Sequence, residues 1–226
     1  MGSYQAVAAV TAVLDYLISD AVAQLDVGAT AVKVEPPKDR RNDPHGDQPA
    51  VHIYLYRVIE NGLWRNNDLP LRGSQGQLVQ QPRLALNLHY LISFYGKEAD
   101  YAPQKLLGAV ASLFQRQPIL TSTLLADMKN RAAEAGNHAF SQLLQASHLE
   151  TDAQVEQVKF SLVTLDLEEM SKLWSVLLQV PYTLSLTYEA AVVFIEPEVT
   201  PVEAQPVRSV TSGSTWQEEV DHERLG

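Results

Sequence analysis

The chain has 226 residues, no cysteine, and a formal net charge of -10 from 17 Lys plus Arg against 27 Asp plus Glu. Such a length suits one full domain or at most two small ones, and the missing thiols exclude a disulfide framework, a cysteine nucleophile, Cys-ligated zinc and iron–sulfur ligation. The acidic balance argues against duplex DNA as a partner, because the longest basic group is Lys38, Arg40 and Arg41, interrupted by Asp39.

The N-terminal stretch lacks a positive region ahead of its apolar residues and does not read as a secretory signal. No apolar run approaches the roughly 18 residues that cross a bilayer, so the expectation is a soluble chain. Ala6 to Leu25 places Val10, Val13, Leu14, Leu17, Ile18, Ala21 and Leu25 at helical spacing, an amphipathic helix with one apolar stripe. A β-branched stretch, Thr30 to Val34, is closed by Pro36-Pro37, and the polar, turn-rich residues from Lys38 to Pro49 predict an exposed loop. Val51 to Ile59 alternates as a strand, with Val51, Ile53, Leu55 and Val58 as its apolar set.

From Glu60 to Gln81 the composition turns to Asn, Gly, Gln, Pro and Arg with little periodicity, a loop longer than compact domains usually carry. Trp64 lies inside it, and such an aromatic needs a surface, in this chain or in another. Leu84 to Tyr95 is the longest strand candidate and is expected at the centre of the sheet. A helix over Tyr101 to Phe114 ends before Pro118; a second, capped by Thr121 or Ser122, ends near Gly136; a weaker one covers His138 to His148. Val155 to Leu165 predicts a strand, Asp166 with Glu169 a capping box opening a helix over Leu167 to Leu178, and Tyr182 to Ile195 the last strand. Early strands with helices clustered between them give an α+β or mixed α/β layer fold, a mixed and mainly antiparallel sheet covered by helices, rather than a doubly wound one.

The expected domain is residues 1–195. Residues 196–226 hold seven acidic and two basic groups, a net -5, with three prolines and few apolar side chains, so they read as an extension that docks or stays disordered. It contains the β-prone run Val207 to Thr211 and a lone Trp216. There is no internal repeat.

The catalytic inventory is thin. No nucleotide-loop, zinc-protease or serine-hydrolase motif is present. Gly73-Ser74-Gln75-Gly76 resembles a phosphate nest only superficially. The six histidines show no metal-pair spacing, although His52 and His89 could meet across neighbouring strands. Glu168-Glu169 suits the first turn of a helix, where negative charge offsets the dipole. An enzyme is not expected, nor a cofactor or metal. A compact core, a long loop and a strand-prone tail suit a docking protein, since an extended segment can add a strand to another subunit's sheet.

Four blocks together carry a family resemblance: VHIYLYRVIENGLWRN (Val51 to Asn66), PRLALNLHYLISFYG (Pro82 to Gly96), KLLGAV with QPIL (Lys105 to Val110, Gln117 to Leu120), and LEEMSKLWSVL with VPYTLSLTYEAAVVFIE (Leu167 to Leu177, Val180 to Glu196). In order and spacing the chain resembles the tail-terminator or cap proteins of extracellular contractile injection systems, phage-tail-like particles, from Ala6 to about Ile195. The resemblance implies a tail-terminator-like fold and a structural role. Such caps form a ring, usually hexameric, that ends the inner tube and sheath and anchors the distal sheath end. Partners would be tube protein, sheath protein and identical copies, with no nucleic acid, no membrane insertion and no cofactor. Assembly would be cytoplasmic, into a particle released from the producing cell or anchored in it. On that reading Glu60, Asn61, Trp64, Arg65 and Asn66 are expected at the subunit or tube interface, and Val207, Arg208, Val210, Thr211 and Trp216 at the sheath. An adaptor or baseplate-side subunit of the same particle, and a hydrolase without recognisable motif, are the alternative readings.

Overall fold

The computed structural model describes residues 4–41, 43–64, 71–72, 78–80, 83–147, 149, 158–177 and 180–195. The chain opens with helix α1 (Ala6–Ala23), followed by β1 (Ala31–Val34) and β2 (Ala50–Glu60). Two short strands, β3 (Leu71–Arg72) and β4 (Leu78–Gln80), pair as a hairpin inside the segment expected to be plain loop. Then come β5 (Leu84–Tyr95), α2 (Ala102–Arg116), α3 (Ser122–Glu134), α4 (His138–Ser147), β6 (Lys159–Val163), α5 (Leu167–Val176) and β7 (Ser185–Ile195). Five strands form one sheet in the order β1-β2-β5-β7-β6; β1 and β2 are parallel and every other pair is antiparallel. The expected mixed, mainly antiparallel sheet is what forms, with β5 at its centre.

Helices α1 to α4 cover one face. The stripe Ala6, Ala9, Val10, Val13, Leu14, Leu17 and Ile18 recurs every three or four residues and is buried along its length. It meets Val51, Ile53, Leu88, Tyr90, Ile92 and Phe94 from β2 and β5 and Leu106, Val110 and Phe114 from α2. Tyr90 is fully enclosed, and its hydroxyl lies 2.8 Å from Thr11 Oγ1, so α1 satisfies the one polar atom that the central strand carries into this core. By length and composition α1 could span a bilayer, which corrects the expectation that no run comes close. Asp15 and Asp20 interrupt the sequence but not the helix as a whole, and the buried stripe makes α1 the spine of the core here.

Two bulges let the strands keep one apolar face. In β2 the register slips between Leu55 and Arg57, so Tyr56 is the extra residue and Val58 opposes Leu88 on the helix side. In β7, Leu86 pairs with Val193 but Leu88 with Ala190, and Val192 sits in the left-handed region at φ 56°. The local signals hold where expected. Thr121 caps α3 through a bond from Leu124 N–H, and Asp166 and Glu169 form the reciprocal capping box of α5. Gly96, at φ 151°, ends β5, where a side chain would strike Ala102.

Candidate assembly surfaces

The face of the sheet away from α1 to α4 is polar yet largely buried, and it carries the residues that the sequence singled out. At one end the chain leaves β2 through Asn61, whose N–H donates to Ala85 C=O at 2.8 Å. The Asn61 amide donates to Asn87 Oδ1 at 2.9 Å, and its oxygen accepts from Leu63 N–H at 3.0 Å and Trp64 N–H at 3.3 Å. Asn87 in turn donates to Glu189 on β7. A ladder of amide and carboxylate groups thus crosses β2, β5 and β7 and fixes the turn that presents Leu63 and Trp64. Asn61 is buried in that ladder, Glu60 is exposed, and Leu63 is 85% exposed. Trp64 is half-buried, its ring edge-on to Phe194 at 5.1 Å, with the Arg83 guanidinium 4.5 Å over the same Phe194 ring. The surface on which Trp64 rests therefore belongs to this chain. Arg65 and Asn66 lie outside the described residues, as do the Gly73 to Gly76 nest and Val207, Arg208, Val210, Thr211 and Trp216 of the tail.

At the other end, the loop between β1 and β2 folds back over the sheet instead of standing free. Lys38 N–H donates to the Tyr95 hydroxyl at 3.0 Å, Arg40 lies 5.3 Å over the Tyr95 ring, and its guanidinium bonds the carbonyls of His45 and Gln48. The groove beside it, about 550 Å³, is lined by Lys38, Arg40, Arg41, Tyr95, Tyr182 and Thr183. His52 is buried under this loop, with Nε2 3.5 Å from Glu35 Oε1 and its ring against Tyr95. Burial holds the His52 imidazole below its usual pKa, while Glu35 acts in the opposite sense. His89 is likewise pushed down by burial, beside Glu189 at 3.8 Å.

The two histidines do not meet. His52 opposes Ser93 and His89 opposes Arg57, so adjacent strands hold them well apart along the sheet. Among the described residues no group of three or more His, Asp or Glu could hold a metal ion. Glu168 and Glu169 occupy the first turn of α5, Glu168 paired with Lys172 and Glu169 in the capping box.

Sequence reasoning missed the surface around α5. Only Trp174 of this helix is buried, its ring against Tyr182 at 5.3 Å, while Leu167 and Tyr182 stay exposed beside a cleft of about 550 Å³ floored by Leu165, Met170 and Trp174. The signal was present in the spacing Leu167, Met170, Trp174, an apolar stripe that needs a partner.

The described geometry is that of a scaffold with exposed strand ends, loops and one uncovered helix. The family model for the Pvc16 N-terminal domain matches residues 9–209, so the likeness continues past Ile195, where the sequence reading ended it. A comparison with curated proteins finds no match. Among solved structures, the chain is similar to the sheath/tube terminator of the PVC extracellular contractile injection system in its extended state. The TM-score is 0.54 at 16% identity, over 94% of this chain and 64% of that one. It is also similar to the anti-feeding prophage cap, the AFP tube terminating cap, with TM-score 0.53 and 14% identity over 90% of this chain and 59% of that one. The chain thus spans less than two thirds of either relative's length. The match over most of its residues establishes that this chain belongs to the Pvc16 N-terminal domain family.

Proposed function

We propose that this chain is the cap of a contractile injection particle: it ends the inner tube and sheath and holds the distal end of the sheath. The observation that carries the reading is the family match over residues 9–209, supported by the likeness in fold to two solved terminators. In this role identical copies form a ring, six-fold by the family resemblance, and the partners are tube and sheath subunits. The cap assembles in the cytoplasm, before the particle is released or anchored. No turnover and no cofactor enter the role.

The finer assignments rest on the family resemblance and, for Glu60 to Trp64, on which groups are exposed. The segment from Glu60 through Trp64 to Arg65 and Asn66 contacts the tube or a neighbouring copy; the exposed Leu63 and the turn held by Asn61 support this. Beyond Ile195, the run Val207 to Thr211, with Val207, Arg208 and Val210, adds a strand to vacant sheath edges, and Trp216 gives side-chain anchorage. Its backbone bonds contribute roughly 1 kcal/mol each, which barely offsets ordering, so attachment relies on the ring's multivalency.

Tube and sheath subunits polymerised in vitro with and without the full chain test this reading. The expected result is tubes that stop growing once the protein is added, with one end blocked. Unchanged growth at both ends would refute it.

A further inference from the structure

Among the described residues the five-stranded sheet ends in β1, with no strand on its outer side, and β6, whose outer side is bridged at Lys159 by Ile119 and left open beyond. From their polarity, side-chain parity and exposed residues we infer that β1 of one copy pairs with β6 of the next, so that the ring is closed by one continuous sheet. This deepens the cap reading and rests on it only for the ring being part of a particle.

The direction of the strands fits. Since β1 and β2 are parallel and every later neighbour is antiparallel, β1 and β6 run in opposite senses. Copies placed side by side in one sheet therefore meet antiparallel, the slightly more stable pairing.

The free backbone groups fit as well. Ala31 N–H donates to Pro49 C=O, which turns the backbone of Ala31 and Lys33 toward β2 and that of Val32 and Val34 outward. On β6, Phe160 N–H donates outward to Pro118 C=O, so the segment running into Leu120 covers the first half of that edge. Leu162, two residues on, points its N–H and C=O the same way. Side-chain parity then decides whether the two edges can join. Directly opposed residues share a face. Val32 packs on the helix side, so Val34 shares it, and Leu162 opposes Tyr188 of the core, which puts it on the helix side too. Joining Leu162 to Val34, and Thr164 to Val32, keeps the helical layers of both copies on the same side of one sheet. Opposite parity would have flipped the second copy.

This register ends itself: the next pair would be Phe160, already bonded, and Pro36, which has no N–H. Val34 and Leu162 are 53% and 57% exposed, the two aliphatic side chains that such a contact would cover. On the other face Lys33 comes beside Val163, next to the acidic start of α5 at Asp166, Glu168 and Glu169. The acidic tail of the same chain, at net -5, is the poorer occupant of the β6 edge, beside that acidic start. A head-to-tail contact of this kind generates rings when the rotation closes, and it removes both sticky edges.

The native chain has no cysteine, so the full-length double variant Lys33→Cys with Val163→Cys reports the contact directly. In this register the pair is a non-hydrogen-bonded one, with Cα atoms about 4.5 Å apart, within disulfide reach. On one copy the two sites lie on opposite edges, so any bond between them joins copies. Oxidation is expected to give a ladder of covalent multimers on denaturing gels, absent from either single variant. Leu162→Pro, which removes only an outward N–H, is expected to keep the native circular dichroism and weaken assembly at least tenfold. Rings seen by native mass spectrometry without cross-linking overturn the edge pairing and leave the cap reading standing. A chain that stays monomeric and uncross-linked at every concentration, with or without tube ends, also overturns it. Cross-linked rings that fail to stop tube growth overturn the cap reading instead.

Discussion

Val192 shows how one residue sets the face of a whole strand. Strict alternation from Tyr188 and Ala190 would send Val192 into the core; the bulge sends Val193 there instead, at the expense of a β-branched residue held at φ 56°. That conformation costs about 1–2 kcal/mol for an L side chain, and asparagine tolerates it better. Val192→Asn is expected to leave chemical-denaturation stability unchanged or raise it by up to about 1 kcal/mol, whereas Val193→Gly loses about 2 kcal/mol or more. His52 ties stability to pH. Its folded pKa lies below the unfolded value, so the unfolded state binds the extra proton as pH falls. The stability it protects is fully present above about pH 6.5 and is lost as pH drops from there through the folded pKa. His89 has the same sign, with Arg57 reinforcing burial and Glu189 opposing it. Melting temperature should therefore fall between neutral pH and mildly acidic pH, and His52→Gln should flatten that slope. An equally steep slope in the variant would show that other groups carry it.

Elements with a strong period were legible in the sequence, and those held by distant contacts were not. The helix stripe of α1, the alternation of β2 and β5, and the capping box at Asp166 are local signals, and each marks its element to within a few residues. Val58 was readable as a core-side residue, but its reason, the extra residue at Tyr56, appears only when β2 meets β5. The hairpin β3–β4 was missed because strands of two and three residues are too short to show a period. The surface under Trp64 was equally invisible, since Phe194 is more than a hundred positions away and only the β5–β7 register brings it close. A double-mutant cycle on Trp64→Ala and Phe194→Leu should give a coupling of about 0.5–1.5 kcal/mol in the isolated protein. Coupling near zero would mean that the turn is held by the Asn61 ladder alone.

At the scale of the molecule, the sequence order of helices and strands was enough for the layer architecture, because a sheet with one apolar face must be covered by the helices that surround it in sequence. Which surfaces stay free was not legible: the edges at Val34 and Leu162 and the open side of α5 look in sequence like any other apolar positions. β7 closes its pairing at Ile195 against Leu84, so a chain truncated after Ile195 is expected to fold and to form rings while losing its grip on sheath. Co-sedimentation with sheath measures that loss, and a truncated chain that aggregates or melts far lower would tie the tail to the fold. On this reading the protein sits at one end of the particle. A cryo-EM reconstruction of intact particles, with a small tag fused to this chain, tests it most directly. The account predicts one ring of tag density per particle, at the end of tube and sheath away from the baseplate. Tag density at the baseplate, or repeated along the sheath, would contradict it.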